Sequence, residues 1–152
     1  MKPIAAELRQ VLDDAYRGLA LLSEEEASTP NGPDKWSNKE ILGHLIDSAA
    51  NNHQRFVRAQ LGPELHLPGY QQEEWVTAQR YRSEPWANIL QLWRAYNIHL
   101  VHVIESVPAE ALKTRCFIDK KEAVTLEFII RDYLRHFKHH VEQILGPGYR
   151  PS

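Results

Sequence analysis

The sequence has little sulfur: among 152 residues there is one cysteine, Cys116, and one methionine, Met1. A single thiol excludes an internal disulfide and any metal site built from paired thiolates. Long apolar runs are missing too. Leu19 to Leu22 and Phe128 to Ile130 fall far short of the roughly 20 residues needed to cross a bilayer, so no membrane partner is expected. No apolar core follows Met1-Lys2-Pro3, and the expected location is the cytoplasm. Neither sign of charge dominates, with 18 basic residues against 20 acidic ones, which leaves no general field for nucleic acid. Gly/Ser linkers, low-complexity tracts and zipper repeats are absent, and the length reads as one domain over residues 1–152.

Against these absences stand helical periodicity and eight histidines. From Pro3 to about Ala27, Ile4, Leu8, Val11, Ala15, Leu19 and Leu22 recur every three or four residues, predicting an amphipathic helix that Thr29-Pro30-Asn31-Gly32-Pro33 breaks. Ser37 with Glu40 has the pattern of a capping box and starts a second helix, Asn38 to about Leu61, which Gly62-Pro63 ends. Leu67-Pro68-Gly69-Tyr70 leads into a short polar helical stretch around Trp75. A third helix opens at Pro85 in its first turn, carries Ile89, Trp93, Tyr96, Leu100, Val103 and Val107, and closes at Pro108. Cys116-Phe117-Ile118 and Ala123-Val124-Thr125 are the only strand candidate, a small hairpin. Thr125 caps a last helix from Leu126 to Leu145, with Gly146 as its stop. Four long amphipathic helices predict an all-α four-helix bundle, a fold whose sites form between facing helices.

If a metal is held here, nitrogen holds it. Ile129, Tyr133, His136 or Phe137, His140 and Ile144 make one inward stripe on the last helix. At about 100° per residue, His136 and His140 lie about 40° apart and one turn along, so both imidazoles can face one ion. His44, beside Leu45 and three residues from Ile41, sits at the core margin of the second helix. Each of these histidines alone reads more readily as a surface or hydrogen-bonded core residue than as a ligand. Together they offer three neutral donors with coordination positions left open, as catalytic zinc requires. Asp47, Asn51 or Asp132 is placed to orient a ligand imidazole, and Asp47 and Asn51 are also the catalytic candidates. His139 is rotated toward the flank, His99 and His102 straddle their apolar stripe, His53 is on a polar face, and His66 is in a loop. The sequence contains no H-E-x-x-H, P-loop, G-x-G-x-x-G or G-x-S-x-G motif, and no Glu-x-x-His repeat of di-iron bundles.

Lys35-Trp36-Ser37 through Glu40, then His44-Leu45-Ile46-Asp47-Ser48, Asn52, Arg55-Phe56, Pro68-Gly69-Tyr70 and Trp75, and finally Asp132 through Ile144, resemble the DinB/YfiT-like superfamily of metalloenzymes. The family is unrelated to the DNA polymerase of similar name. The resemblance spans Trp36 to Ile144 and implies a bundle of up-down-down-up type, often a homodimer, with a three-histidine site. Carried over, the divalent-metal ligands fall on His44, His136 and His140, while His139 matches a histidine that is not normally a ligand. Some relatives transfer low-molecular-weight thiols and others are described as hydrolases.

The expected function is therefore a metal-dependent enzyme, first a thiol S-transferase joining a low-molecular-weight thiol to a small electrophile, second a hydrolase. Zinc or nickel is the expected metal, with iron a further candidate. A divalent ion on neutral ligands can activate either a thiol or water near neutral pH. Arg55, Tyr70, Trp75 and Arg131 are the expected substrate or cofactor contacts, with Asn51 near them. From a different class, a bundle binding a small apolar ligand or a partner helix would use the histidines only as buried fasteners.

Overall fold

The computed structural model describes residues 1–147 and Tyr149. In chain order the elements are α1 (Lys2–Leu19), α2 (Glu24–Ser28), α3 (Asn38–Arg58), β1 (Glu64–Leu67), α4 (Gln72–Gln79), α5 (Trp86–Ser106), β2 (Arg115–Ile118), β3 (Val124–Thr125) and α6 (Leu126–Leu145). Short 3-10 turns occupy Tyr81–Ser83 and Ala111–Lys113.

Caps decide where the helices begin. Ser37 accepts from the Glu40 amide while the Glu40 carboxylate accepts from the Ser37 amide, and the Thr125 hydroxyl accepts from the Phe128 amide. The first helix ends earlier than its periodicity predicts. A second capping box, Ser23 with Glu26, starts α2 separately, and Leu21 is left 85% exposed in the turn between them. Pro85 occupies the N-cap of α5 rather than its first turn.

The long helices α1, α3, α5 and α6 each pack against two others in the cyclic order α1, α5, α3, α6. Side-chain pairs set their directions. Leu19 O accepts from Trp86 Nε1 and the Arg94 guanidinium lies over the Tyr16 ring, so α1 and α5 are antiparallel. Glu7 pairs with Lys138 and Gly18 faces Leu145, so α1 and α6 are parallel. His44 meets His136 and His140 while Phe56 meets Tyr133, so α3 and α6 are antiparallel. The bundle is thus up-down-down-up. Parallel α3 and α5 require a crossover, and the stretch from Ala59 to Pro85 provides it.

The hairpin forms as expected, β2 antiparallel to β3, but it is not the only strand pair. Glu64-Leu65-His66-Leu67, in the crossover, adds β1 in parallel to β2 and gives the order β1-β2-β3. Its sequence signal is slight, because only Leu65 of the strand is buried and its partner is distant along the chain. The main core joins Leu8, Leu12, Leu42, Leu45, Ile89, Leu100 and Ile104, with Trp93 stacked on Phe137 at 5.5 Å. Burying each such side chain contributes roughly 1.5–3 kcal/mol. Asn97, fully buried, accepts from Tyr133 Oη at 2.5 Å and ties α5 to α6.

The crossover is fastened to α3 at Asp47, and near the start of the helix through Arg82, which pairs with Glu40 and accepts from Lys39 at its carbonyl. Tyr81 Oη and Gln79 Nε2 both donate to Asp47 Oδ1 at 2.7 Å. Gly43 leaves room for the Tyr81 ring, since a Cβ at this position would lie 2.3 Å from Tyr81 Cδ2. Among the described residues, no helix is long and apolar enough to cross a membrane.

Candidate metal centre

On α3, His44, Ser48, Asn52 and Arg55 follow one another in steps of four, four and three, so they share one stripe. On α6, Asp132, His136 and His140 follow in steps of four, with Tyr133 three residues before His136. Antiparallel packing lays the two stripes together and brings ligand-capable nitrogens of His44, His136 and His140 within 4.8 Å of one another. His44 Nε2 is 3.1 Å from His136 Nε2. The three rings meet edge to face, with centroids 5.0, 4.8 and 4.5 Å apart. His44 is 1% exposed and lies beneath Trp36, whose ring is 5.3 Å away, whereas His136 and His140 are partly open to solvent.

Burial is the first cause of the electrostatic state of the cluster, and mutual repulsion of the imidazolium forms is the second. Together they push His44 down to about 3 and His136 down to about 4. His140 is lowered by burial as well, partly opposed by its bond to Gln143. All three rings are therefore neutral at pH 7. His140 Nδ1 donates to Gln143 Oε1 at 2.8 Å, which leaves the Nε2 lone pair free. Ser48 Oγ stands 3.5 Å from His136 Nδ1, while His44 Nδ1 is buried without a partner.

A divalent ion fits this donor set. Two nitrogens each about 2.0–2.1 Å from one ion, at ligand angles of about 90–110°, lie roughly 2.9–3.4 Å apart. The 3.1 Å separation of the His44 and His136 nitrogens falls in that range. Two neutral Nε2 lone pairs facing each other repel unless a proton or a cation lies between them.

A cleft of about 480 Å³ opens beside His136. Ser48, Asn52, Arg55 and Tyr70 line it together with Asp132 and the β2–β3 hairpin. Of the expected contacts, Arg55 and Tyr70 stand in its wall. Trp75 does not: it is 40% exposed, with its ring 5.2 Å from that of Tyr70. Arg131 pairs with Glu127 and borders a different surface groove, facing α1. Asn51 donates to the Asp47 carbonyl at 2.9 Å, and Asp47 is engaged by Tyr81 and Gln79. Asp132 pairs with Arg135. The groups beside the ligand-type imidazoles are Ser48 and Gln143 instead, one turn after His44 and three residues after His140. Of the remaining histidines, His139, His99, His102 and His66 are exposed, and His53 Nδ1 bonds Tyr96 Oη at 2.9 Å.

Known proteins bear the same arrangement of helices. A Geobacillus thermodenitrificans (strain NG80-2) protein named "Putative metal-dependent hydrolase" is 26% identical over 150 residues, covering 96% of this chain and 83% of that protein. "Putative metal-dependent hydrolase YfiT" of Bacillus subtilis (strain 168) is 20% identical over 145 residues, 95% of this chain and 78% of its own. The YfiT structure, described as having an unusual four-helix bundle topology, matches with a TM-score of 0.81 at 20% identity, over 93% of this chain and 82% of that one. A mycothiol-dependent maleylpyruvate isomerase matches with a TM-score of 0.76 at 13% identity, over 93% of this chain but 59% of the isomerase. At such identities the structural likenesses carry the fold alone. The sequence profile of the DinB superfamily matches residues 7–144, and the chain belongs to that superfamily.

Proposed function

We propose that the protein is a divalent-metal-dependent enzyme that joins a low-molecular-weight thiol to a small electrophile, with His44, His136 and His140 holding the ion. The observation that carries this reading is the convergence of three neutral imidazoles, one of which, His136, lines a cleft of about 480 Å³. A divalent ion bound by neutral ligands keeps its full charge and can deprotonate a thiol or bring the pKa of water to about 7.

The chain's own residues bind and orient. Gln143 sets the His140 tautomer, and Ser48 stands beside His136. The reacting sulfur comes from outside the chain, because Cys116 is buried in β2 and burial pushes its thiol up, away from the thiolate. A cleft of this size accepts a small molecule beside the ion, and transfer to a thiol needs that room for both partners. A soft thiolate favours zinc over harder ions. Hydrolysis is the second reading, supported by the names of the two curated relatives.

The test is metal analysis of the purified protein followed by turnover of an electrophile panel with and without added thiol. The expected result is about one divalent ion per chain, lost in His136→Ala and His140→Ala, and turnover that requires the thiol. Turnover without thiol selects hydrolysis. A metal-free protein whose stability ignores a chelator overturns both readings.

A further inference from the structure

Resting on the cleft reading above, we propose that Arg55, with Asn52 and Tyr70, forms a carboxylate-binding subsite at the end of the cleft away from the three histidines. The small molecule taken there carries a carboxylate some distance from its reacting atom.

Arg55 is the unsatisfied charge of the cleft. A guanidinium presents five N–H donors in a fork suited to a carboxylate, and a charge removed from water needs a partner. Arg55 is half-buried in the cleft wall. Among the described residues its hydrogen bonding is one contact, from Nη1 to Asn52 Oδ1 at 3.4 Å, and it has no ion pair. The more exposed Arg17, Arg82, Arg115, Arg131 and Arg135 are each paired with a carboxylate. Burial pulls the Arg55 pKa down, opposed by the fields of Tyr70, Asp132 and Cys116.

The neighbouring groups do not fill the fork. Asp132, the acid whose field reaches Arg55, is taken by Arg135 on its own helix. Asp119 and Lys121, the other charged residues of the wall, are exposed on the hairpin. Burial raises the Tyr70 phenol, so it stays an O–H donor at neutral pH beside the guanidinium. From Ser48, next to His136, to Arg55 is seven residues of α3, or about 10 Å at 1.5 Å per residue. A ligand with its reacting atom by His136 and its carboxylate at Arg55 spans a distance of that order.

The carboxylate belongs either to the thiol or to the electrophile, and paired probes separate the two. 3-Mercaptopropionate with its methyl ester, and 4-chloro-3-nitrobenzoate with its methyl ester, are each titrated alone against ion-loaded and ion-free protein. Binding is measured by calorimetric titration for wild type and every variant, and in wild type also through the Arg55 Nε–Hε NMR resonance, assigned by its loss in Arg55→Lys. The expected result is that one acid moves this resonance saturably and binds about 10-fold or more tightly than its ester. That preference should vanish in Arg55→Gln and survive in part in Arg55→Lys, with ion content and melting temperature as in wild type. The proposal is overturned if neither acid outbinds its ester, or if Arg55→Gln keeps the preference. Ion content, measured on the same samples, reports on the metal reading separately, because the Arg55 resonance responds to a carboxylate with or without the ion.

Discussion

Gly43→Ala tests how the crossover is held, because two physical arguments give it opposite signs. In an open helix, alanine stabilises by about 1 kcal/mol over glycine. At position 43 the added Cβ would lie 2.3 Å from Tyr81 Cδ2 and 2.5 Å from both Cε2 and Cγ. The obstacle cannot swing away freely. Tyr81 is 3% exposed, and its hydroxyl donates to Asp47 Oδ1 with Gln79 Oε1 2.8 Å away. Forcing the ring aside costs about 1–3 kcal/mol in overpacking. It also takes one of two donors from Asp47 Oδ1, which keeps Gln79, a further ~0.5–1.5 kcal/mol for the lost hydrogen bond. After the gain in helix propensity, the net destabilisation is about 0.5–3.5 kcal/mol, which in a chain of this size lowers Tm by roughly 1–14 °C. Thermal melts of wild type, Gly43→Ala, Tyr81→Ala and the double variant measure it. In the Tyr81→Ala background the same alanine should be neutral or stabilising. A Gly43→Ala protein that melts at or above wild type, or an equal penalty in both backgrounds, refutes the steric argument.

Three further outcomes follow from the same contacts. Gln143→Leu keeps every ligand-type nitrogen but removes the acceptor of His140 Nδ1–H, so ion affinity should fall about 10–100-fold in a competition assay; unchanged affinity would mean that this bond does not orient the ring. In ion-free protein, folding holds His44 and His136 neutral down to about 3 and about 4, whereas unfolded imidazoles titrate near 6.5, so the folded state binds fewer protons in between. Stability is therefore full above about pH 6.5 and declines as pH falls toward those lower values, by at most about 1.4 kcal/mol per pH unit per histidine. Urea midpoints at pH 7 and 4.5 should differ more for wild type than for His136→Asn; equal pH dependence refutes the assignment. Chelating a bound ion present at 100 times its Kd should remove about 2.7 kcal/mol of stability, read as a fall in Tm, and an unmoved Tm counts against a folded-state ion site.

The parts of the fold that local chemistry specifies were legible in the sequence. Ser37 with Glu40, and Thr125, mark helix starts through side chains that satisfy free amides, and the phase of His136 and His140 places both on one stripe. The periodicity overextends the first helix because the apolar phase continues through Leu22, past the end of α1 at Leu19 and up to Ser23, which caps a new helix. Strand β1 escaped because a parallel pairing depends on a distant partner. At the site, α3 alone does not say which polar neighbour approaches an imidazole. Asp47 and Ser48 lie three and four residues beyond His44, about 100° apart around the axis. Which of them faces α6 is decided by how that helix is seated, and the structure turns Ser48 toward His136 and Asp47 toward the crossover. Arg131 and Trp75 were drawn off by local partners, Glu127 and Tyr70.

The parallel pairing of α3 and α5 accounts for why ion site and cleft have different kinds of walls. The ligand-type nitrogens come only from helices, held by packed stripes that change little without disturbing the core. The opposite wall comes from the two connections: Gly69, Tyr70 and Gln71 from the crossover, and Ile118 to Val124 from the hairpin. A bundle without the crossover would have no such wall. The parallel β1–β2 pairing and the bond from the Asp119 amide to Leu67 O join the two connections into one unit, while Asp47 fastens the crossover to α3 from below. Substitutions in these connections can therefore reshape what the cleft accepts and leave the three histidines in place. Arg55 lies where helix and connections meet, so its orientation depends on both.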